Sequence, residues 1–411
     1  MNRERLLDRF LRYVRLDTTA KADAGCYPSS QGQLELGSLL VHELHALGVE
    51  NARQDEHGLV WAEVPSTNSR NVPCVALNAH LDTSPETTGA GVRPQVIREY
   101  AGGDLPLPSD GKVIRVADNP ELDRLRGTTL VTSDGSTLLG GDDKAGVAAI
   151  MELAAFLAEH PQIPHGPVRI LFTCDEEIGR GVEFVDPGQL NAAAAYTLDG
   201  PGANQIDVET FSADLATVTV RGVNIHPAIA KDRMVNATRA AAEFITRLPR
   251  HLAPERTSGR EGFLHPYQIE GGVGETKLKI LLRDFEASQL EIQADLLRRT
   301  AAEVEALFPG ASVVVEVRPQ YRNMREGLAK EPRAVKYAEL ALQRLGRVPE
   351  RTVIRGGTDG SHLTEHGLPT PNLSCGQHNP HSPLEWVCLE EMLAASEMLV
   401  ELLRTWAEDP G

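Results

Sequence analysis

Cysteine is scarce in this chain, and its arrangement excludes more than its number does. Cys26, Cys74, Cys174, Cys375 and Cys388 are scattered through 411 residues, odd in number and without a C-x-x-C pair. That pattern argues against a disulfide framework or a thiolate zinc site, and it fits reduced thiols in a cytoplasmic protein. Long apolar runs are missing too: none approaches the ~18 to 20 residues of a membrane span. Positive charge is in deficit, with 41 Lys+Arg against 58 Asp+Glu and a net charge of -17. No basic run offers the face that phosphate binding needs, so nucleic acid is not an expected partner, whereas cations and metals suit the balance. Internal repeats and low-complexity segments are also absent. The first residues place Arg3, Glu4, Arg5, Asp8 and Arg9 among Leu6, Leu7, Phe10, Leu11 and Val14. This is the spacing of an amphipathic helix rather than the uncharged core of a signal peptide. The expected location is therefore the cytoplasm, with no membrane partner.

A chain of 411 residues exceeds the ~250 to 300 at which single cores stop growing, so two domains are expected. Residues 3–16 and 33–47 read as helices, and 59–64 and 75–79 as strands. An excursion rich in Gly, Pro and Asp covers 83–139 and is long enough to wall a substrate site. Residues 144–160 form a predicted helix with Val147, Ile150, Met151, Ala154 and Leu157 on one face. Strands at 214–222, 267–271, 276–285 and 312–317 alternate with helices at 236–248 and 287–308. That βαββαβ order is the signature of a ferredoxin-like split unit. The chain then returns to helix 332–345, strand 351–354, a Gly-rich turn, strand 371–374 and helix 389–406. The expected fold is α/β: a catalytic domain (1–212 and 321–411) with a mixed, mostly parallel sheet flanked by helices, plus an inserted ferredoxin-like α+β domain (213–320).

The chemistry lies at strand ends. Apolar runs stop at His80, at Asp175-Glu176-Glu177 and at Asp199. In open α/β sheets ligands collect beyond the carboxyl ends of strands, so such side chains can converge. Asp82, two residues past His80 on the same side of an extended segment, can orient its ring from a second layer. Asp142 and Asp143 open a helix, where a plain N-terminal cap is the simpler reading. Taken together, His80, Glu177, Asp199, His381 and a shared Asp142 offer each of two metals one histidine, one terminal carboxylate and a bridging carboxylate. Such mixed nitrogen and oxygen donors suit zinc first, with cobalt or manganese as substitutes. A water held between paired metals is activated for attack on a polarised carbonyl, and Glu176, beside Glu177, is the natural general base. Three tempting features carry less. His42-Glu43-Leu44-His45 is one residue short of the zincin motif, Asp359-Gly360-Ser361-His362 lacks a nucleophile elbow, and Arg355-Gly356-Gly357 lacks the P-loop lysine.

The segments NAHLDTSPE, LLGGDDKAG, TCDEEIG, YTLDG, NIHPAIAKDRMVNA, LLRDFE, YRNMRE and IRGGTDG, in this order, closely resemble the peptidase T family. That family is the tripeptide aminopeptidase branch of the co-catalytic zinc peptidases. The resemblance implies a two-zinc enzyme that releases the N-terminal residue of tripeptides, with the inserted domain acting as lid and homodimer contact. It implies the same ligands, His80, Asp142, Glu177, Asp199 and His381, with Glu176 as base and Asp82 behind His80. It further implies a cis peptide at Asp142-Asp143, a catalytic His226 reaching the partner subunit's site, and Arg283 binding the substrate carboxylate. Two departures concern substrate length: NPHSPLEWV replaces the family's His-Gly around the last ligand, and Pro201 interrupts a glycine stretch. A dipeptidase or an N-acyl amino acid deacylase of the same superfamily is the alternative activity. A non-catalytic metal-dependent binding protein is a remote one.

Overall fold

The computed structural model describes residues 1–68 and 72–408; residues 69–71 and 409–411, which fall in the expected catalytic domain, lie outside the described residues. The chain divides into two compact units. The larger comprises Met1–Val208, Met324–Thr352 and Thr358–Gly411. The smaller comprises Glu209–Asn323 with the short return segment Val353–Gly357. That return segment groups with the smaller unit because Phe211 donates its backbone N–H to the carbonyls of Ile354 and Gly356, each at 3.2 Å.

In the larger unit the centre of the sheet is parallel. Val75–His80 pairs in parallel with Val168–Thr173 on one side and with Ala194–Pro201 on the other. Asn372–His378 continues the parallel run beyond Ala194–Pro201. All six residues of Val75–His80 are buried, as expected of a parallel strand covered on both faces. Antiparallel strands finish the rims: Val60–Val64 joins Val168–Thr173, and Trp386–Cys388 joins Asn372–His378. The fold is the anticipated mixed α/β sheet with a largely parallel core. The four central strands therefore point their carboxyl ends the same way, and His80, Glu176, Glu177, Asp199 and His381 sit at or near those ends.

The excursion expected over 83–139 is less irregular than its composition suggests. Within it, Leu130–Thr132 pairs with Trp386–Cys388, and Gln95–Ile97 adds outside that strand. Three-residue strands are too short for alternation to be legible in sequence. The helix Gly141–Glu159 begins earlier than its periodicity implies, and Asp142 and Asp143 have non-helical backbone angles within it. These two acids are therefore not an ordinary first turn, and the peptide between them is cis.

That helix is clamped by the N-terminal helix Arg3–Tyr13. Glu152, fully buried on Gly141–Glu159, accepts from Arg5 Nε at 2.7 Å, Arg9 Nη1 at 3.3 Å and the Asn2 backbone N–H at 2.7 Å. Burying these charges is tolerable only because each is paired.

The smaller unit carries a four-stranded antiparallel sheet in the order Phe263–Gly271, Glu275–Asp284, Ser212–Arg221, Ser312–Tyr321. Helices Ala237–Arg247 and Ala287–Leu307 complete the ferredoxin-like order. Along Glu275–Asp284, Leu278, Ile280 and Leu282 are buried while Lys277 and Lys279 are exposed, the period-2 pattern of a sheet with one covered face. Phe244, Leu290, Leu297 and Val304 join them in a core separate from that of the larger unit.

Removing one member of a buried ion pair strands the others. Glu152→Ala is expected to lower unfolding stability by about 3 kcal/mol, read as a shifted urea midpoint, whereas a change under ~0.5 kcal/mol would show that the clamp is unimportant.

Candidate metal centre

The five expected ligands come together at the strand ends of the larger unit. One ligand atom each from His80, Asp142 and Asp199 lies within 4.8 Å of the others, and the same holds for Asp142, Glu177 and His381. Asp142 is common to both groups. Its Oδ1 is 2.9 Å from His80 Nε2, and its Oδ2 is 3.3 Å from His381 Nε2. Glu177 Oε2 lies 2.9 Å from the same His381 nitrogen, and Asp199 Oδ1 lies 3.9 Å from His80 Nε2.

Each group is held from behind. His80 directs Nδ1 to the Asp82 carbonyl at 3.1 Å, with the Asp82 carboxylate at 3.5 Å. The carboxylate of Asp82 also has a further task. It accepts the backbone N–H groups of Glu176 and Glu177, both at 3.0 Å, and so holds the turn that carries base and ligand. Asp175, first of the acidic triplet, sits at a left-handed φ of 62°. Such a backbone costs a side-chain-bearing residue roughly 1–2 kcal/mol, and three contacts offset it. Ser29 donates its N–H at 2.7 Å and its hydroxyl at 2.5 Å, and Gln33 Nε2 donates at 2.7 Å. The triplet thus splits into anchor, base candidate and ligand candidate. Asp199 accepts from Gln377 Nε2 at 3.0 Å. His381, also left-handed at φ 62°, is steadied by Thr87, whose hydroxyl donates to its carbonyl at 2.6 Å.

Sequence reasoning missed Glu385. Its buried carboxylate accepts the backbone N–H groups of Leu139 and Gly140 at 2.7 Å and of Asp142 at 3.0 Å. It thereby fixes the loop that delivers Asp142. Gly140 enters that loop at φ 83°, a conformation glycine adopts without penalty. Glu385 stands inside NPHSPLEWV, but nothing in a sequence tells an exposed glutamate from one that gathers three amides.

The electrostatics describe a site short of positive charge. Burial pushes the Glu177 carboxyl up to about 7, aided by Asp142. Burial also drives Asp199 well above the ordinary carboxylate range, with Asp142 and Asp143 adding repulsion. Burial works against His381 being charged, yet Asp142 and Glu177 override it and raise its pKa to about 11. Glu177 Oε1 is buried with no hydrogen-bond partner. An orphaned carboxylate oxygen among crowded acids is what a cation would satisfy. Two imidazole nitrogens with three carboxylates form a donor set for divalent transition metals, so the residues fit paired metal ions. Glu176 is half-buried beside the site, and burial raises its carboxyl well above the usual value.

The other expected site residues belong to the smaller unit. His226 is exposed at the start of a short 3-10 turn, its Nδ1 accepting from Ala228 N–H at 3.2 Å. Arg283 is buried; it donates to the carbonyls of Asp214 at 3.3 Å and Leu282 at 3.0 Å and lies 5.5 Å from the Tyr321 ring centroid. The discounted motifs are structural. His45 Nε2 pairs with the Ala52 carbonyl at 2.8 Å, and Ser361 closes a capping box with Thr358.

Comparison with known proteins places this geometry. Residues 133–405 match the model of peptidase family M20/M25/M40. Over 407 residues, covering 99% of each chain, the sequence is 42% identical to Peptidase T of Geobacillus thermodenitrificans. The chain belongs to the peptidase T branch of peptidase family M20/M25/M40. Among family members of known structure, the aminopeptidase PepT of Bacillus cereus is 25% identical, with 99% of this chain and 100% of that one covered and a TM-score of 0.75. A dinuclear metal-binding M20 peptidase of Bacillus subtilis, at 17% identity, shares the fold with a TM-score of 0.63, covering 98% of this chain and 97% of that one. The described residues contain no helix long and apolar enough to cross a membrane.

Glu385→Gln replaces one accepting oxygen by an amide nitrogen and leaves a backbone N–H unpaired. A loss of roughly 1–3 kcal/mol in unfolding stability is expected, measured by urea denaturation; an unchanged midpoint would show that the loop does not depend on this carboxylate.

Proposed function

We propose that this chain is a two-metal aminopeptidase that releases the N-terminal residue of tripeptides. The carrying observation is the pair of donor groups that share Asp142. His80 and Asp199 would hold one metal and Glu177 and His381 the other, with Asp142 available to both. The nitrogen and oxygen donors favour zinc, with cobalt or manganese as substitutes. Bound there, the metals supply Lewis acidity, lowering the pKa of a water and polarising the scissile carbonyl.

Glu176 takes the proton from the attacking water and returns it to the leaving amine. Support for this role comes from its carboxylate: among the described residues it enters no ion pair, while its backbone N–H is pinned by Asp82 at 3.0 Å. A raised pKa moves a carboxylate towards the range where it can both accept and give up a proton near neutrality. Arg283 binds the substrate's carboxylate, and His226 acts on the neighbouring subunit's site in a homodimer formed by the smaller units, as a lid. The exposure of the His226 ring and of Ile229 beside it at 54% supports the latter role. Free cysteines throughout support a reducing, cytoplasmic setting.

Glu176→Gln should retain its metal and lose about 10²- to 10⁴-fold in kcat, as read by ninhydrin-detected release of the first residue from a tripeptide. Substantial residual turnover would sink the base assignment. Chelation followed by metal analysis should abolish hydrolysis, and zinc should restore it. Against a panel of tripeptides, dipeptides and N-acetylated amino acids, tripeptides with a free amine should be cut best; preference for an acetylated substrate would make the enzyme a deacylase.

A further inference from the structure

Glu176 and Glu177 ride on a loop, residues 174–180, that is tied to itself. Arg180 N–H donates to the Asp175 carbonyl at 2.9 Å, and Gly179 N–H donates to the Glu176 carbonyl at 2.7 Å. A loop closed in this way shifts as one body, so its two ends set where the base stands. Both ends meet the same buried carboxylate. At the entering end, Thr173, the last residue of the strand Val168–Thr173, donates its hydroxyl to Asp359 Oδ2. At the leaving end, a side chain on Gly181 would collide with Asp359 Oδ1. Gly181 is buried and does not have a positive φ. The nearness of Asp359, rather than backbone freedom, explains why a glycine stands there.

Asp359 is 2% exposed, and its Oδ1 has no hydrogen-bond partner among the described residues. Leaving a buried carboxylate oxygen unpaired is costly. Thr173, for its part, has another acceptor within reach, the Ala79 carbonyl at 3.3 Å. Removing the Asp359 carboxylate would therefore strand no donor, which sets this contact apart from one kept for stability. Asp359 is itself anchored, since it opens the helix Asp359–Glu365, whose first turn is closed by the Thr358–Ser361 capping box. A second brace spans the same two loop ends: Tyr27 donates its hydroxyl to the Cys174 carbonyl at 3.0 Å, with the Gly181 carbonyl 3.5 Å away.

We propose that Asp359 is a positioning residue for Glu176: wedged between Thr173 and Gly181, it fixes where the loop presents the base to the metal centre. The inference rests on the aminopeptidase reading, in which Glu176 moves the proton. Placement at this level matters, because a displacement of about 1 Å at a reacting group costs on the order of 10²-fold in rate.

The test uses the full-length enzyme with zinc at saturation and a tripeptide substrate. Asp359→Ala should lower kcat by about 10- to 100-fold while KM changes by less than about threefold. Asp359→Asn, which keeps an oxygen for Thr173, should recover most of that loss. Thr173→Val should be slowed in the same way, and Thr173→Ser, which keeps the hydroxyl, should recover most of the rate. The double variant Asp359→Ala/Thr173→Val should be no slower than the slower single one, because the two residues act through one contact. A second readout needs no turnover: by hydrogen exchange and mass spectrometry, the amides of residues 174–181 should exchange about tenfold faster or more in Asp359→Ala than in the wild type. A contact kept only for stability would move the urea midpoint and leave kcat of the folded enzyme unchanged. That outcome would overturn the proposal, as would unchanged exchange over 174–181 or additive losses in the double variant. Should Asp359→Ala fail to fold, Thr173→Val, which exchanges only a hydroxyl for a methyl, decides through the same two readouts. A wild type that cuts no tripeptide would sink the aminopeptidase reading and the base with it; an active wild type beside an unimpaired Asp359→Ala would overturn the positioning alone.

Discussion

The carboxylate of Asp142, set between the imidazoles of His80 at 2.9 Å and His381 at 3.3 Å, is the constraint on which the rest of the larger unit depends. A shared carboxylate must be presented with both oxygens free and with its backbone held by something else. Glu385 does the holding through three amide hydrogen bonds. The helix that follows Asp142 is in turn fixed by the Glu152 ion-pair cluster. Displacement at either end would separate the two donor groups, which among the described residues share this residue alone.

Around Asp142 the acids divide their labour by environment rather than by type. Asp175 and Asp82 are saturated with hydrogen bonds from Ser29, Gln33 and the Glu176–Glu177 amides. Both carboxylates hold backbone N–H groups in place. Glu177 and Asp199 are buried among like charges and resist ionisation, which is the electrostatic mark of a place prepared for a cation.

Much of this was legible from residue order. Apolar runs ending at His80, Asp175 and Asp199 mark strands whose carboxyl ends converge, and the structure brings those ends together through parallel pairing of Val75–His80 with both neighbours. The βαββαβ texture of the smaller unit was readable for a similar reason, since Glu275–Asp284 and its partners are long enough for alternation to show. Other features were not readable. The three-residue strands Gln95–Ile97 and Leu130–Thr132 have too few residues for a period. Asp82 pointed towards His80 by spacing, but spacing could not show that its carboxylate, 3.5 Å from His80 Nδ1, also supports the Glu176–Glu177 turn, a contact across 94 and 95 residues of sequence.

By itself, the sequence determined which residue types stand at strand ends, that two units alternate in texture, and that the chain carries a deficit of positive charge. These are local or compositional properties, and period, punctuation and charge count record them. Only the tertiary structure decided which acids gather into two donor groups around Asp142 and which brace the backbone behind them, that Glu385 gathers the loop before Asp142, and that Gln293 is left with a buried acceptor. Those outcomes depend on burial and on partners distant in the chain, and an isolated carboxylate or amide carries no record of either.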